Sequence, residues 1–227
     1  MEFKNKKAIL FDLDGTLIDS VPDLASAVNH MLKELNRQIF SENVIRRWVG
    51  NGAQTLVKRA LLSQSDISKD IDTKLFEKAL NIFLIFYKDN VCVDTRLYSG
   101  VLDTLKTLKK QNFRLAIVTN KPYSFIQPIL TKLELDNIFE YFIGGDCLEK
   151  KKPDPMQLLY TCEKLNITIE ESIMIGDSKN DILAANSIDM DSIGVTYGYN
   201  YGESISVHNP SLVVDKFSDI TTAILVK

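Results

Sequence analysis

Two aspartates separated by one residue, Asp12 and Asp14, lie in the string FDLDGTLIDS, which starts at Phe11 and follows the apolar run Ala8 to Leu10. An apolar run that ends in carboxylates reads as a buried strand presenting them at its carboxyl end, the edge where open α/β sheets bind ligands. On an extended chain the two side chains start on the same side. Carboxylates side by side repel, and without a cation at least one tends to hold a proton. A divalent, oxygen-preferring ion such as Mg²⁺ relieves that repulsion and takes part of its shell from substrate phosphate. The pair therefore points to phosphoryl chemistry, although Asp-Leu-Asp-Gly read alone also fits a polar turn.

Three later segments carry what a phosphate site needs. In IVTNKP, Thr119 and Asn120 follow Ile117 and Val118, and a threonine hydroxyl with the next backbone N–H groups binds phosphate oxygens. In KKKPDP, Lys152 precedes Pro153 and Pro155 and offers a point charge. In IMIGDSKNDI, Asp177 and Asp181 follow an apolar run that ends in Gly176, which permits close backbone approach. Each segment alone also fits an ordinary turn, a solvated loop or a helix cap. Together, in this order and each at or just beyond the end of an apolar run, they would meet on one edge of a sheet.

On these four segments, Phe11 to Asp181, the chain resembles the haloacid dehalogenase-like hydrolase superfamily. Within it, VGNGAQTLVKRAL at Val49, DTRLYSGV at Asp94, TNKP at Thr119 and VTYGYNYGE at Val195 look like the bacterial phosphoglycolate phosphatase family. The resemblance implies that Asp12 is the nucleophile and forms an aspartyl-phosphate, with Asp14 the general acid and base. It implies Mg²⁺ held by the Asp12 side chain, the Asp14 backbone carbonyl and the Asp177 side chain, with Asp181 supporting the site. Phosphate charge is then met by Mg²⁺, Lys152, Thr119 and Asn120. The implied substrate is 2-phosphoglycolate; another small phosphate ester, pyrophosphate, or a phosphomutase reaction on the same fold are the alternatives. A dehalogenase fits Asp14 less well, and a non-catalytic binding module would have no use for the complete residue set.

These residues need elements to place them. Val21, Leu24, Ala25, Val28, Met31, Leu32 and Leu35 fall at helical spacing, with Ser20 a candidate N-cap and Pro22 in the first turn. Ile45 to Val49, Thr55 to Leu62 and Ile71 to Tyr87 continue a helical block with no strand-like alternation before about Val91. From Gly100 onward short apolar strands alternate with helices, the pattern of a parallel sheet. Helices are predicted over Val101 to Lys110, Ser124 to Leu133, Pro155 to Leu165, Asn180 to Ser187 and Ile220 to Val226. Strands are predicted over Arg114 to Thr119, Tyr141 to Gly144, Ser172 to Gly176, Ile193 to Thr196 and Leu212 to Val214. The expected architecture is an α/β, doubly wound, Rossmann-like parallel sheet. Residues 1–18 and 92–227 form its discontinuous core, and residues 19–91 an inserted helical cap.

A cap would exclude water and set specificity. Asn51 and Gly52 precede a helix whose amino end suits a substrate carboxylate. Lys58 and Arg59 either add charge there or are solvated helix residues. His30 reads as a packing or rim residue and His208 as a loop residue. Trp48 reads as a cap anchor, and Tyr197, Tyr199 and Tyr201 as a packed loop near the site.

The composition is that of an ordinary soluble globular protein: 227 residues, 45% apolar and 25% charged. A net charge of −3 provides no basic field for nucleic acid or anionic lipid. Cys92, Cys147 and Cys162 are scattered, as suits a reducing cytoplasm. The longest apolar segment, Ile82 to Tyr87, is far short of the ~20 residues a spanning helix needs. The expected partner is a small phosphate ester rather than nucleic acid or membrane, and the sequence carries no signal of oligomeric state.

Overall fold

The computed structural model describes residues 3–67 and 70–224. Its centre is a six-stranded parallel sheet built from β1 (Ala8–Phe11), β4 (Arg114–Val118), β5 (Tyr141–Ile143), β6 (Ser172–Gly176), β7 (Asp191–Val195) and β8 (Leu212–Val214), in the order β5-β4-β1-β6-β7-β8. β1 is flanked by β4 and β6, with Leu10 in register with both Ala116 and Met174. After β5 the chain crosses to the other side of β1, so the strand order reverses there. Ligands bind α/β sheets at such a point.

Alternate strand residues face opposite sides of a sheet, and here both sides are covered. Ile9, Phe11, Ile117 and Ile175 join one cluster with Val101 and Leu105 of α5 (Val101–Lys110), Ile129 of α6 (Ile126–Lys132) and Ile220 of α9 (Asp219–Ile224). Leu10, Ala116, Val118 and Met174 join another with Leu158 of α7 (Met156–Lys164) and Ala184 of α8 (Lys179–Asn186). Double coverage explains why these strands read as near-continuous apolar runs. This is the expected doubly wound α/β core.

Between β1 and β4 run α1 (Val21–Glu34), α2 (Glu42–Arg46), α3 (Ala53–Leu62) and α4 (Thr73–Asp89), packed on one another through pairs α1·α4, α3·α4 and α1·α2. The predicted stripe of α1 is buried from Val21 to Leu32. α4 starts two residues later than its apolar pattern because Asp72 caps it, accepting from Leu75 N at 2.8 Å. The chain leaves the sheet through β2 (Ile18–Asp19) and returns through β3 (Arg96–Leu97), an antiparallel pair too short for alternation to reveal. Asp23 fixes this return: its carboxylate accepts from the N–H groups of Val93, Asp94 and Thr95 and from the Thr95 hydroxyl.

Smaller differences from expectation have local causes. Ser20 stands at the N-cap position of α1 without capping it, because its hydroxyl donates to Asp14 instead. Pro122 leads first into a 3-10 turn, Tyr123–Phe125, and only then into α6. His208 ends another 3-10 turn, Ile205–His208. Of the closing helix, predicted to Val226, the last two residues lie outside the described ones. Among the described residues no helix is long and apolar enough to cross a membrane.

Candidate active site

The carboxyl ends of β1, β4 and β6 bring the predicted residues together. Asp12 follows β1 directly, and its carboxylate lies beside those of Asp177 and Asp181, with one oxygen from each within 4.8 Å of the others. All three are buried. Lys152, just ahead of α7, reaches into this group: its ammonium is 3.0 Å from Asp12 Oδ1 and 2.6 Å from Asp181 Oδ1, and it donates to the Val118 carbonyl. Asp181 also accepts from the N–H and hydroxyl of Ser178, so the first turn of α8 fixes the carboxylate that fixes the lysine. Asp177 accepts from the Thr16 hydroxyl and the Tyr199 N–H, each at 2.7 Å.

Gly15 is required by this arrangement. It sits at φ +93°, and a Cβ there would stand 2.3 Å from Asp177 Oδ2. Only glycine adopts that conformation at no cost and lets the β1 loop approach the β6 carboxylate.

The electrostatics are those of crowded anions. Burial pushes Asp12 up to about 6, with Asp181 and Asp14 adding to the rise and Lys152 opposing it. Burial, with Asp12 and Asp181 alongside, raises Asp177 well above the ordinary carboxylate range. Burial works against the Lys152 charge, yet Asp12 and Asp181 outweigh it and hold the ammonium above its usual value. One buried lysine thus serves two of the three carboxylates, Asp12 and Asp181. Among the described residues Asp12 Oδ1 makes no well-aligned hydrogen bond, with the Lys152 ammonium beside it. A carboxylate oxygen with room for a further partner, among hard oxygen donors, fits a divalent cation.

Asp14 is set apart from that cluster. Its carboxylate accepts from the Ser20 hydroxyl at 2.5 Å and from Lys121 Nζ at 2.9 and 3.1 Å. Lys121 is buried, and Asp14 raises its pKa against the opposing effect of burial. It stands two residues after Thr119 in TNKP, where sequence reasoning stopped at Asn120. A lysine at the end of a buried strand, inside a motif already noted, was the available signal. Gln157 had none. Buried behind the site, it donates to the Thr119 and Gly144 carbonyls and accepts from Lys152 N, tying the β4 and Lys152 segments together.

Thr119 and Asn120 line the cavity above Asp12 and Asp14 together with Lys121. Asn120 donates to the carbonyls of Gly50 and Lys152. Gly52 also lines the cavity, whereas Asn51 bonds outward to Tyr201 and Asn180. Lys58 and Arg59 stand away from it. Lys58 lies over the Phe76 ring, and Arg59 donates to the Trp48 and Ser65 carbonyls and stacks on Tyr201. The tyrosine-rich loop does frame the site: Tyr197 donates to Thr16 O and Tyr199 to Asp19. Trp48 is a packed anchor against Phe40, and His30 stacks on Phe86.

A parallel sheet whose switch point gathers a strand-end aspartate pair, a threonine, a buried lysine and two further aspartates defines a hydrolase class. The chain belongs to the haloacid dehalogenase-like hydrolases, whose pattern it matches over residues 9–195. A phosphoglycolate phosphatase of Colwellia psychrerythraea is 52% identical over 97% of each chain. One of Pseudomonas putida is 46% identical over 92% of this chain and 76% of its own. A crystal structure described as a predicted phosphoglycolate phosphatase from Haemophilus somnus superposes with a TM-score of 0.91 at 40% identity, covering 96% of this chain and 98% of that one.

Proposed function

We propose that the protein is a divalent-cation-dependent phosphatase that hydrolyses 2-phosphoglycolate to glycolate and phosphate through an aspartyl-phosphate on Asp12. The observation that carries this reading is the division of labour between the two aspartates. Asp12 sits in the three-carboxylate cluster beside Lys152, whereas the Asp14 carboxyl is held outside it by Lys121 and Ser20. One carboxylate is thereby poised as nucleophile and the other held outside the cluster, where its role is to move a proton.

In the first step Asp12 attacks phosphorus, and Asp14 protonates the leaving alkoxide. In the second, Asp14 takes a proton from the water that attacks the aspartyl-phosphate, and Asp12 is released. Lys152, the Thr119 hydroxyl and the Asn120 segment meet charge on the transferred phosphoryl oxygens. The Asp12 side chain, the Asp14 backbone carbonyl and the Asp177 side chain are the groups that would hold Mg²⁺, which when bound supplies positive charge to the phosphoryl oxygens. Asp181 supports the set by anchoring Lys152.

Residues 19–91 act in this reading as the cap, and residues 1–18 and 92–227 as the core. The cavity between them is walled by Leu24, Leu56 and Phe83. Such walls leave sugar hydroxyls unpartnered at a cost of a few kcal/mol each, which favours a short substrate over sugar phosphates. The names carried by the relatives point the same way. Three free cysteines accord with a cytoplasmic setting.

The test is phosphate release from 2-phosphoglycolate beside sugar phosphates, nucleotides and pyrophosphate, with Mg²⁺ and with chelator. A preference in kcat/KM for 2-phosphoglycolate that disappears with chelator is expected. Release spread evenly over the panel removes the substrate assignment and keeps the chemistry.

A further inference from the structure

The cavity above the aspartates is mostly apolar, and its polar lining includes Tyr87 and Lys121, which lie side by side. Tyr87, from α4, lines it and is 1% exposed, and among the described residues its Oη makes no well-aligned hydrogen bond, with the Lys121 ammonium the one side chain that approaches it as a donor. Leaving a buried hydroxyl unpaired is costly, so an orphan beside a cavity asks for a ligand. Burial pushes this phenol up to about 12 against the lowering pull of Lys121, and it stays protonated at neutral pH.

Lys121 Nζ lies 4.9 Å from the centroid of the Tyr87 ring. An ammonium carries three donors, and the single carboxylate of Asp14 does not exhaust them. Opposite stands the amino end of α3, ten residues long, with Gly52 and Ala53 on the cavity wall. Gly52 lies at φ +81°, and a Cβ there would come 2.7 Å from the Asn120 carbonyl oxygen. Glycine at the N-cap position thus lets α3 approach the core and offers its first N–H groups no side-chain acceptor. A helix start in that state favours an anion.

We propose that Tyr87, Lys121 and the amino end of α3 form a subsite for a second, non-reacting anion of the substrate, a carboxylate one carbon away from the phosphoester oxygen. This rests on the phosphatase reading above. Two arguments fix the chemistry. Lys121 touches Asp14, the group assigned to protonate the ester oxygen, so whatever Lys121 binds lies only a few bonds from that oxygen. A carboxylate is an acceptor-only group and matches a corner of donors, whereas a polyol brings hydroxyl donors that Leu24, Leu56 and Phe83 cannot accept. The positive charge that Lys58 and Arg59 were candidates to add comes in this proposal from Lys121 of the core.

Tyr87→Phe removes one oxygen and keeps the ring, which makes it the decisive variant. The measurement is the ratio of kcat/KM for 2-phosphoglycolate to that for 2-hydroxyethyl phosphate, in which CH₂OH replaces the carboxylate. A fall in this ratio of about 10- to 100-fold, mainly through KM for 2-phosphoglycolate, is expected from losing a hydrogen bond to a charged group. An unchanged ratio in the folded variant overturns the subsite. An equal loss on both esters also overturns it, since Tyr87 would then only support Lys121 and Asp14. A wild-type enzyme that prefers a different carboxylate-bearing phosphoester refutes the 2-phosphoglycolate assignment alone, and the variant is then read on that ester. A wild-type enzyme with no preference for a carboxylate refutes the subsite.

Discussion

The floor and the roof of the cavity are built on opposite principles. The floor, at the ends of β1, β4 and β6, crowds Asp12, Asp14, Asp177 and Asp181 around two lysines, nearly all out of water. The roof, from α1, α3 and α4, is mostly apolar packing that includes Leu24, Leu56 and Phe83, with the Tyr87 hydroxyl and the amino end of α3 as its polar points. Buried charge is expensive and survives only when paired, whereas buried hydrocarbon stabilises in proportion to its area. The floor therefore spends stability on chemistry, and the roof supplies stability and shape. Variants on the two sides should fail in different ways.

Asp12→Asn tests the floor most severely. It removes the nucleophile, and turnover should fall by on the order of 10⁴-fold or more. Because burial already disfavours the Asp12 charge, the thermal midpoint in chelator should not drop. Retained turnover in the folded variant would refute the mechanism. Lys152→Met comes next. It strands Asp12 and Asp181, and removing one partner from a buried ion pair costs about 3–5 kcal/mol. Thermal melts should show this loss at pH 8 and partial recovery at pH 5, where Asp12 takes up a proton. A variant equally unstable at both pH values would mean that Lys152 acts through packing.

The cation adds a third, smaller effect with a defined sign. The folded protein holds the Asp12 proton to about pH 6 instead of 3.8. Between those values it binds more protons than the unfolded chain, so stability falls as pH rises through the window. Asp177 is shifted in the same direction. Mg²⁺ competes with these protons. The rise in thermal midpoint on adding Mg²⁺ should be small at pH 5 and large at pH 8, and an increment independent of pH would place the ion elsewhere.

The same contrast governs what the sequence disclosed. Asp12 and Asp177 were legible because carboxylates at the ends of apolar strands break a pattern, whereas Lys152, in the loop before α7, and Asp181, in the first turn of α8, stood out only through the order of the four segments and the family resemblance. β4, β6 and β8 were legible from their apolar runs. Long-range partnerships were not. Nothing local marks Gln157 as the brace behind Lys152, Ser20 as a partner of Asp14 in place of a cap, or Asp23 as the clamp on Val93 to Thr95. Lys58 and Arg59 drew attention by charge, yet helix phase turns them to Phe76, Trp48 and Tyr201, while Tyr87, set in an apolar helix stripe, carried no sequence sign of its unpaired hydroxyl.

The smallest expected effect is the sharpest check on the division. Val57 is fully buried in α3, one turn beyond the cavity wall, and does not line the cavity. Val57→Ala deletes two methyl groups from the roof and should cost about 2 kcal/mol, a fall of several degrees in thermal midpoint for a chain of this size. If the roof supplies shape through many shared contacts, α3 stays in place and kcat/KM for 2-phosphoglycolate changes by less than about threefold. A Lys152 variant that loses comparable stability should lose most of its turnover. Should Val57→Ala lose turnover on that scale as well, the amino end of α3 must be positioned as tightly as the aspartates, and the roof would belong to the catalytic machinery.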